Sequence, residues 1–183
     1  DYQVVIVGVD KPMIYEWIEN RELVKTTSGK TTDAESLAAQ IALIKAIKDY
    51  DLKRIISFHS RVKRAESFAS ETQNSILNIN KKHIPKGKIC ADFVSGTMSS
   101  HHRRLKLDLL KNLSQVDRGL LSNARCLSEG VDVPAVDAVA FTYPKDSLID
   151  IIQAIGRSLR KRGNPNKEFG HVVLPIFVKT NKN

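Results

Sequence analysis

Short apolar runs alternate along the chain with longer amphipathic segments. The apolar runs, which are rich in β-branched residues, predict strands at Val4–Val9, Arg54–Phe58, Ile89–Val94, Gly119–Ser122, Val136–Thr142 and His171–Val178. The segments between them predict helices at Pro12–Leu23, from a cap at Asp33 to Lys48, at Arg61–Asn80 behind Ser60, from Ser99 or Ser100 to Leu113, and at Ser147–Arg160. This alternation predicts an α/β fold over residues 1–183 as a single domain, with a mainly parallel sheet and helices on both faces. Functional loops are then expected at the carboxyl ends of the strands.

The last predicted helix has two distinct faces. An apolar stripe is formed by Leu148, Ile152, Ile155 and Leu159. A second stripe, on another side, is formed by Gln153, Gly156, Arg157 and Arg160. A glycine inside a helix costs about 1 kcal/mol relative to alanine, so its position here indicates that something approaches the backbone closely.

A second candidate segment, LSNARCLSEGVDVP, covers residues 121–134 and follows a predicted strand. It places Ser128, Gly130 and Asp132 close together at the end of that strand, where they are able to contact a ribose or a phosphate. The same residue types also favour ordinary turns, so this segment alone does not decide between the two interpretations.

Together, the two segments resemble a known family. SEGVDVP, followed about 20 residues later by QAIGRSLR, resembles motifs V and VI of superfamily 2 helicases and translocases. The run IISF at Ile55–Phe58 resembles motif IV, and Val94-Ser95-Gly96 before SSHHRR resembles the block between motifs IV and V. The four occur in the family's order across about residues 54–178, and they are most similar to the restriction-enzyme and DEAH-like groups.

This resemblance implies a three-layer RecA-like domain, the second of two in an ATP-dependent helicase or DNA translocase. ATP with Mg²⁺ would be bound mainly by an N-terminal RecA-like domain of the same polypeptide, which supplies the P-loop and the acidic residues. The resemblance assigns catalytic roles to Arg157 and Arg160, nucleotide contacts to Gln153, Gly156, Gly130 and Asp132, and nucleic-acid contacts to Ser57, Ser95, Gly96 and Ser128.

The charge of the chain agrees with a polyanionic partner. Its 29 Lys and Arg residues against 20 Asp and Glu give a net charge of +9, which favours nucleic acid, although a basic surface without function has the same composition. The restriction-enzyme resemblance favours DNA. Without a membrane-spanning run or a secretory leader, a cytoplasmic location is expected. Cys90 and Cys126 lie in apolar surroundings and are expected to be buried free thiols.

Three apparent motifs do not support other chemistry. Residues 28–31, SGKT, resemble the end of a P-loop, but Val24 stands where that motif needs glycine, and residues 21–27 do not predict a strand. Residues 33–36, DAES, resemble an acidic Mg²⁺ box but open a helix instead. His101 and His102 are adjacent and point different ways on a helix, so no metal site is expected.

Two other functions are compatible with this fold class. A non-catalytic nucleic-acid-binding module with a helicase-like fold would not need the intact spacing of Gly156, Arg157 and Arg160. A nucleotide-dependent oxidoreductase would need GxGxxG after the first strand, where the chain has only Gly8. The helicase interpretation is therefore the main prediction.

Overall fold

A computed structural model of the chain describes residues 2–9, 23–25, 31–76, 79–114, 117–124, 136–142, 156 and 170–177. Its strands are β1 (Tyr2–Val9), β2 (Leu23–Lys25), β3 (Thr31–Asp33), β4 (Arg54–His59), β5 (Ile89–Ser95), β6 (Arg118–Ala124), β7 (Ala138–Phe141) and β8 (Gly170–Phe177). Its helices are α1 (Ala34–Asp49), α2 (Val62–Ser75), a 3₁₀ turn at Lys81–His83, and α3 (Ser100–Lys111). Apart from Leu23 and Gly156, the predicted helices at 12–23 and 147–160 lie outside the described residues.

Six of these strands form one parallel sheet. Its order is β1-β8-β7-β4-β6-β5, and every neighbouring pair in it is parallel. The central strand β4 is buried along most of its length, as expected for a parallel sheet covered on both faces. The predicted α/β architecture is confirmed.

The strands alternate their side chains between two apolar layers. On β4, Ile55 packs with α1 and α2, whereas Ile56 packs with α3 on the opposite face. On β6, Leu120 and Leu121 divide in the same way. The sheet therefore lies between two helical layers, with α1 and α2 on one side and α3 on the other.

Helix α1 begins as predicted but is more deeply buried than an amphipathic helix. Asp33 is its N-cap and accepts a hydrogen bond from the Ser36 amide at 2.8 Å. Only the last residues of the helix are exposed, because it contacts β1, β8 and α2. Its alanines, at positions 34, 38, 39, 42 and 46, are all buried, and their small size allows close packing on several sides.

Two predicted element boundaries are wrong. Helix α2 ends at Ser75 instead of Asn80, where the Asn80 side chain caps the following 3₁₀ turn. Leu23–Lys25 and Thr31–Asp33 pair as a small antiparallel sheet, where a helix end and a loop were predicted. Val24, Thr31 and Thr32 are β-branched, which favours this extended pairing.

The expectation that Cys90 is buried is also wrong. Cys90 is an exposed free thiol, although its neighbour Ile89 is fully in the core. Strand β5 is the edge of the sheet, and Cys90 lies on the wall of a cavity of about 440 Å³ next to Leu109 and Leu110 of α3. An apolar neighbourhood in sequence therefore does not bury a side chain on an edge strand. Cys126 lies outside the described residues.

Candidate functional site

The carboxyl ends of four parallel strands lie side by side at one edge of the sheet. His59 at the end of β4 and Ser95 at the end of β5 are both in register with Ala124 of β6, and Phe58 is in register with Phe141 of β7. The segments that contain the predicted motif V and VI residues leave this edge from β6 and β7. The topology thus places the end of the predicted motif IV strand and the Val94-Ser95-Gly96 block beside the strand ends from which those two segments continue.

The loop after β5 exposes its backbone at this edge. Ser95 is 1% exposed, and its hydroxyl lies 2.8 Å from that of Thr97. Gly96 is exposed, and a methyl group added to it would meet no atom within 4 Å. The accessible feature is therefore the backbone at Gly96, while the Ser95 side chain holds the loop.

Arg103 reinforces this loop from the first turn of α3. Its guanidinium donates to the Met98 carbonyl at 2.6 Å, to the Gly96 carbonyl at 3.4 Å and to the Ser100 hydroxyl at 3.2 Å. Ser99 caps the helix by accepting from the His102 amide at 3.2 Å. The Arg103 guanidinium thus makes its hydrogen bonds within the protein and stabilises the loop.

Other basic side chains at this edge are exposed. His101, His102 and Arg104 are exposed at the start of α3, and Arg61, Lys63 and Arg64 are exposed at or just before the start of α2. The two helices pack on opposite faces of the sheet but begin at the same edge. Because helix N-termini also point N–H groups outward, this edge favours phosphate.

Ser57 has a different environment from the one predicted. It is fully buried, and its hydroxyl donates to Ser122 of β6 at 3.1 Å. Direct contact with nucleic acid, which the resemblance implied for Ser57, does not fit this position. The hydroxyl instead joins a polar cluster inside the sheet.

His59 is the functional candidate that sequence reasoning missed. Its Nε2 lies 3.0 Å from Ser57 Oγ, and its Nδ1 lies 3.2 Å from Thr142 Oγ1. Burial, with a smaller effect from Arg64, lowers the pKa of His59 to about 4, so the ring is neutral near pH 7. A polar residue at every second position of an apolar strand, as with Ser57 and His59, was the available signal.

A comparison with protein families identifies the chain. Residues 38–162 match the helicase conserved C-terminal domain. The chain belongs to this family. This helicase C-terminal domain is 43% identical over 61 residues to a probable helicase of African swine fever virus. The alignment covers 33% of this chain and 7% of the viral protein.

Solved structures share the RecA-like fold of this helicase domain. The ATP-dependent Type ISP restriction-modification enzyme LlaBIII, bound to DNA, aligns over 100% of this chain and 12% of its own with a TM-score of 0.75 and 24% identity. Domain 2 of the DEAD-box helicase Mss116p, bound to an RNA duplex, aligns over 97% of this chain and 55% of its own with a TM-score of 0.57 and 21% identity. The domain therefore spans only a small part of the viral helicase and of the restriction enzyme.

Most of the predicted nucleotide-site residues lie outside the described part of the helicase domain. These are Gln153, Arg157, Arg160, Gly130 and Asp132, and the predicted nucleic-acid contact Ser128 lies outside it too. Gly156 is described, and it is helical and exposed, with open space where a Cβ would stand. The roles given to these residues stay predictions.

The described residues offer no protein cage for a divalent cation. Within them, no group of three or more His, Cys, Asp or Glu is placed to hold a metal ion. Asp33 caps α1, and burial together with Asp33 raises the pKa of Glu35, against a smaller opposite effect of Arg64. Asp33 is thus the N-cap that the sequence predicted for this helix.

The strand at Thr31 excludes a P-loop at residues 28–31. The prediction that residues 21–27 contain no strand is wrong, because Leu23–Lys25 is a strand that pairs antiparallel with Thr31–Asp33. A P-loop needs a helix at this Thr, and Thr31 begins a strand instead.

Among the described residues, none of the helices has the length and hydrophobicity that a membrane span requires.

Proposed function

We propose that this chain is the second RecA-like domain of an ATP-dependent DNA helicase or translocase. The observation that carries the proposal is the shared edge of the sheet, where the exposed Gly96 loop and the basic helix starts lie beside the strand ends from which the segments containing motifs V and VI continue. The family match over residues 38–162 supports it. The activity of the whole protein would then depend on a cleft between this edge and another RecA-like domain.

The nucleotide half of this cleft is assigned to the segments after β6 and β7. Arg157 and Arg160 would face the phosphates of ATP, with Gln153, Gly130 and Asp132 beside the nucleotide or the domain boundary. The open position at Gly156 leaves room for a close approach to the helix backbone. Guanidinium groups stabilise the charge that develops on a transferring phosphoryl group. Mg²⁺ and the P-loop would belong to the other domain.

The nucleic-acid half is assigned to the start of α3 and the loop before it. The exposed Gly96 backbone and the Arg104 side chain would contact phosphates, with Ser95 holding the loop and Ser128 following β6. The cations at the start of α2 extend the same edge. These contacts recognise backbone instead of bases, so we expect little sequence preference. DNA is proposed because the motifs resemble those of restriction enzymes, and a restriction enzyme bound to DNA is among the structures that share this fold.

The nucleotide proposal is tested with the full-length protein. Arg157→Ala should reduce ATP turnover on the order of 10³–10⁵-fold with only a modest loss of ATP affinity. Arg157→Lys should restore little, because lysine lacks the planar fork of arginine. The isolated chain should show no ATPase activity above background. Turnover within a few-fold of wild type in Arg157→Ala would refute the assignment.

The nucleic-acid proposal is tested by salt-dependent DNA binding. Arg104→Gln should weaken binding to all sequences and reduce the salt slope by about 1, because one phosphate contact is lost. Lys111→Gln is the matched control, since Lys111 is exposed at the opposite end of the same helix. Equal effects of both variants would show that overall charge, and not this edge, determines binding. A parallel titration with RNA distinguishes the two nucleic acids.

A further inference from the structure

A chain of buried hydrogen bonds crosses three strands near the carboxyl edge of the sheet. Ser122 of β6 accepts from Ser57 of β4 at 3.1 Å, Ser57 Oγ lies 3.0 Å from His59 Nε2, and His59 Nδ1 lies 3.2 Å from the hydroxyl of Thr142. All four side chains are at most 3% exposed. The chain of contacts thus runs from β6 across β4 to the residue that follows β7.

The imidazole of His59 is hydrogen-bonded at both ring nitrogens. A neutral ring carries one N–H, so one nitrogen donates and the other accepts. The hydroxyls of Ser57 and Thr142 can each fill the complementary role, and each also has a second partner, the Ser122 hydroxyl and the Phe58 carbonyl. Both contacts of His59 therefore form in either tautomer.

Thr142 directly precedes the segment that contains the predicted motif VI residues. It follows the last residue of β7, and the segment beginning at residue 143 contains Gln153, Arg157 and Arg160. Its hydroxyl extends the pairing of β7 with β4 past the end of the strand, because Phe58 is in register with Phe141. Two of its contacts, to a ring and to a carbonyl on β4, therefore fix where this segment begins.

We propose that His59 is a positioning residue, which holds Thr142 against β4 and so sets the starting point of the segment that carries the motif VI arginines. This rests on the proposed function, since it requires those arginines to act on ATP. The ring contact of His59 with Phe68 of α2, at 4.7 Å between centroids, holds the imidazole in place from the helical layer. His59 itself need not touch ATP or nucleic acid.

Two substitutions of His59 separate its two hydrogen bonds. His59→Gln keeps a polar atom facing Ser57 and loses the one facing Thr142, whereas His59→Asn keeps the atom facing Thr142 and loses the one facing Ser57. In the full-length protein we expect His59→Gln to lower kcat on the order of 10-fold or more, because small displacements of catalytic groups are costly, with little change in KM for ATP. His59→Asn should retain more activity although its smaller side chain makes it the less stable variant. The reverse order of activities would overturn the proposal.

Substitutions of Thr142 provide a second test with a matched control. Thr142→Val should lower kcat as His59→Gln does, and Thr142→Ser should restore it. Thr72→Val is the control, because Thr72 is equally buried and donates to a backbone carbonyl, that of Phe68, at 2.6 Å, but lies in the last turn of α2. If Thr142→Val affects kcat no more than Thr72→Val does, Thr142 has only a structural role and the proposal fails.

Arg157→Ala in the same assay distinguishes this failure from that of the proposed function. If Arg157→Ala leaves turnover intact, the helicase site assignment is wrong. If Arg157→Ala abolishes turnover while His59→Gln does not lower it, only the positioning role is wrong. Nitrogen NMR of His59 in this chain provides a readout independent of activity: Thr142→Val should shift the Nδ1 resonance, because it removes the hydroxyl bonded there. An unchanged Nδ1 resonance would overturn the assigned contact with Thr142.

Discussion

Protonation of His59 should make this domain lose stability in mildly acidic solution. Burial lowers the pKa of His59 from 6.5 to about 4 in the folded state. Between these values the unfolded chain binds a proton that the folded chain does not, so stability falls as the pH decreases through this window. The loss of stability is absent above about pH 7 and complete below about pH 4.

The size of this effect follows from the shift. A difference of about 2.5 pKa units corresponds to about 3 kcal/mol of unfolding free energy, which is fully lost once the pH is below both pKa values. At pH 5 about 2 kcal/mol of this is already lost. Such a loss is a large fraction of the 5–15 kcal/mol that typically stabilises a folded domain.

Urea unfolding of the chain at pH 7 and pH 5 measures the effect. His59→Gln cannot titrate in this range, so wild type should lose about 2 kcal/mol more than the variant between the two pH values. Subtracting the variant removes contributions common to both proteins, such as that of Glu35. Thr72→Val, a non-titrating core variant that retains His59, should show the pH dependence of wild type. If wild type and His59→Gln show the same pH dependence, the buried neutral imidazole is refuted.

Three further substitutions have predicted outcomes. Gly156→Ala should raise the free energy of unfolding, measured in urea, by up to about 1 kcal/mol, because the position is helical with open space for a Cβ. The same substitution should lower ATP turnover in the full-length protein. Unchanged turnover would contradict a close approach of another group to the backbone at Gly156. Asp137→Ala should destabilise by about 1–3 kcal/mol, because one carboxylate oxygen accepts from the amides of Lys53 and Arg54 at 3.0 and 2.8 Å, and thermal unfolding tests this. Asp33→Ala should cost about 1 kcal/mol by loss of the α1 cap, and an unchanged melting temperature would show that the cap contributes nothing.

Elements with strong local signals were predicted well. The strands β4, β5 and β8 lie within two residues of their predicted bounds, because each contains a short apolar run rich in β-branched or aromatic residues. The caps Asp33 and Ser99 begin the predicted helices, since their side chains accept from amides only three residues ahead. Local chemistry was sufficient in these cases.

Features that depend on the order of strands were not predicted. Cys90 has apolar neighbours in sequence, but only its place on an edge strand explains its exposure. Ser57 was assigned to a surface by resemblance, and its actual partner Ser122 is 65 residues away. The link from His59 to Thr142 spans 83 residues. Such contacts exist only once the parallel strands have been placed side by side.

The pairing of β1 with β8 has a consequence for the synthesis of this domain. The two strands are in register from Tyr2 to Val9, and β8 also pairs with β7. Strands β4 to β7 are complete once residue 141 has left the ribosome, but the free edge of β7 has no partner until residues 170–177 follow. Long-range parallel pairing of this kind is slow, and an unpaired strand edge promotes aggregation. A nascent chain that stops at residue 162, where the family match ends, would keep that edge open.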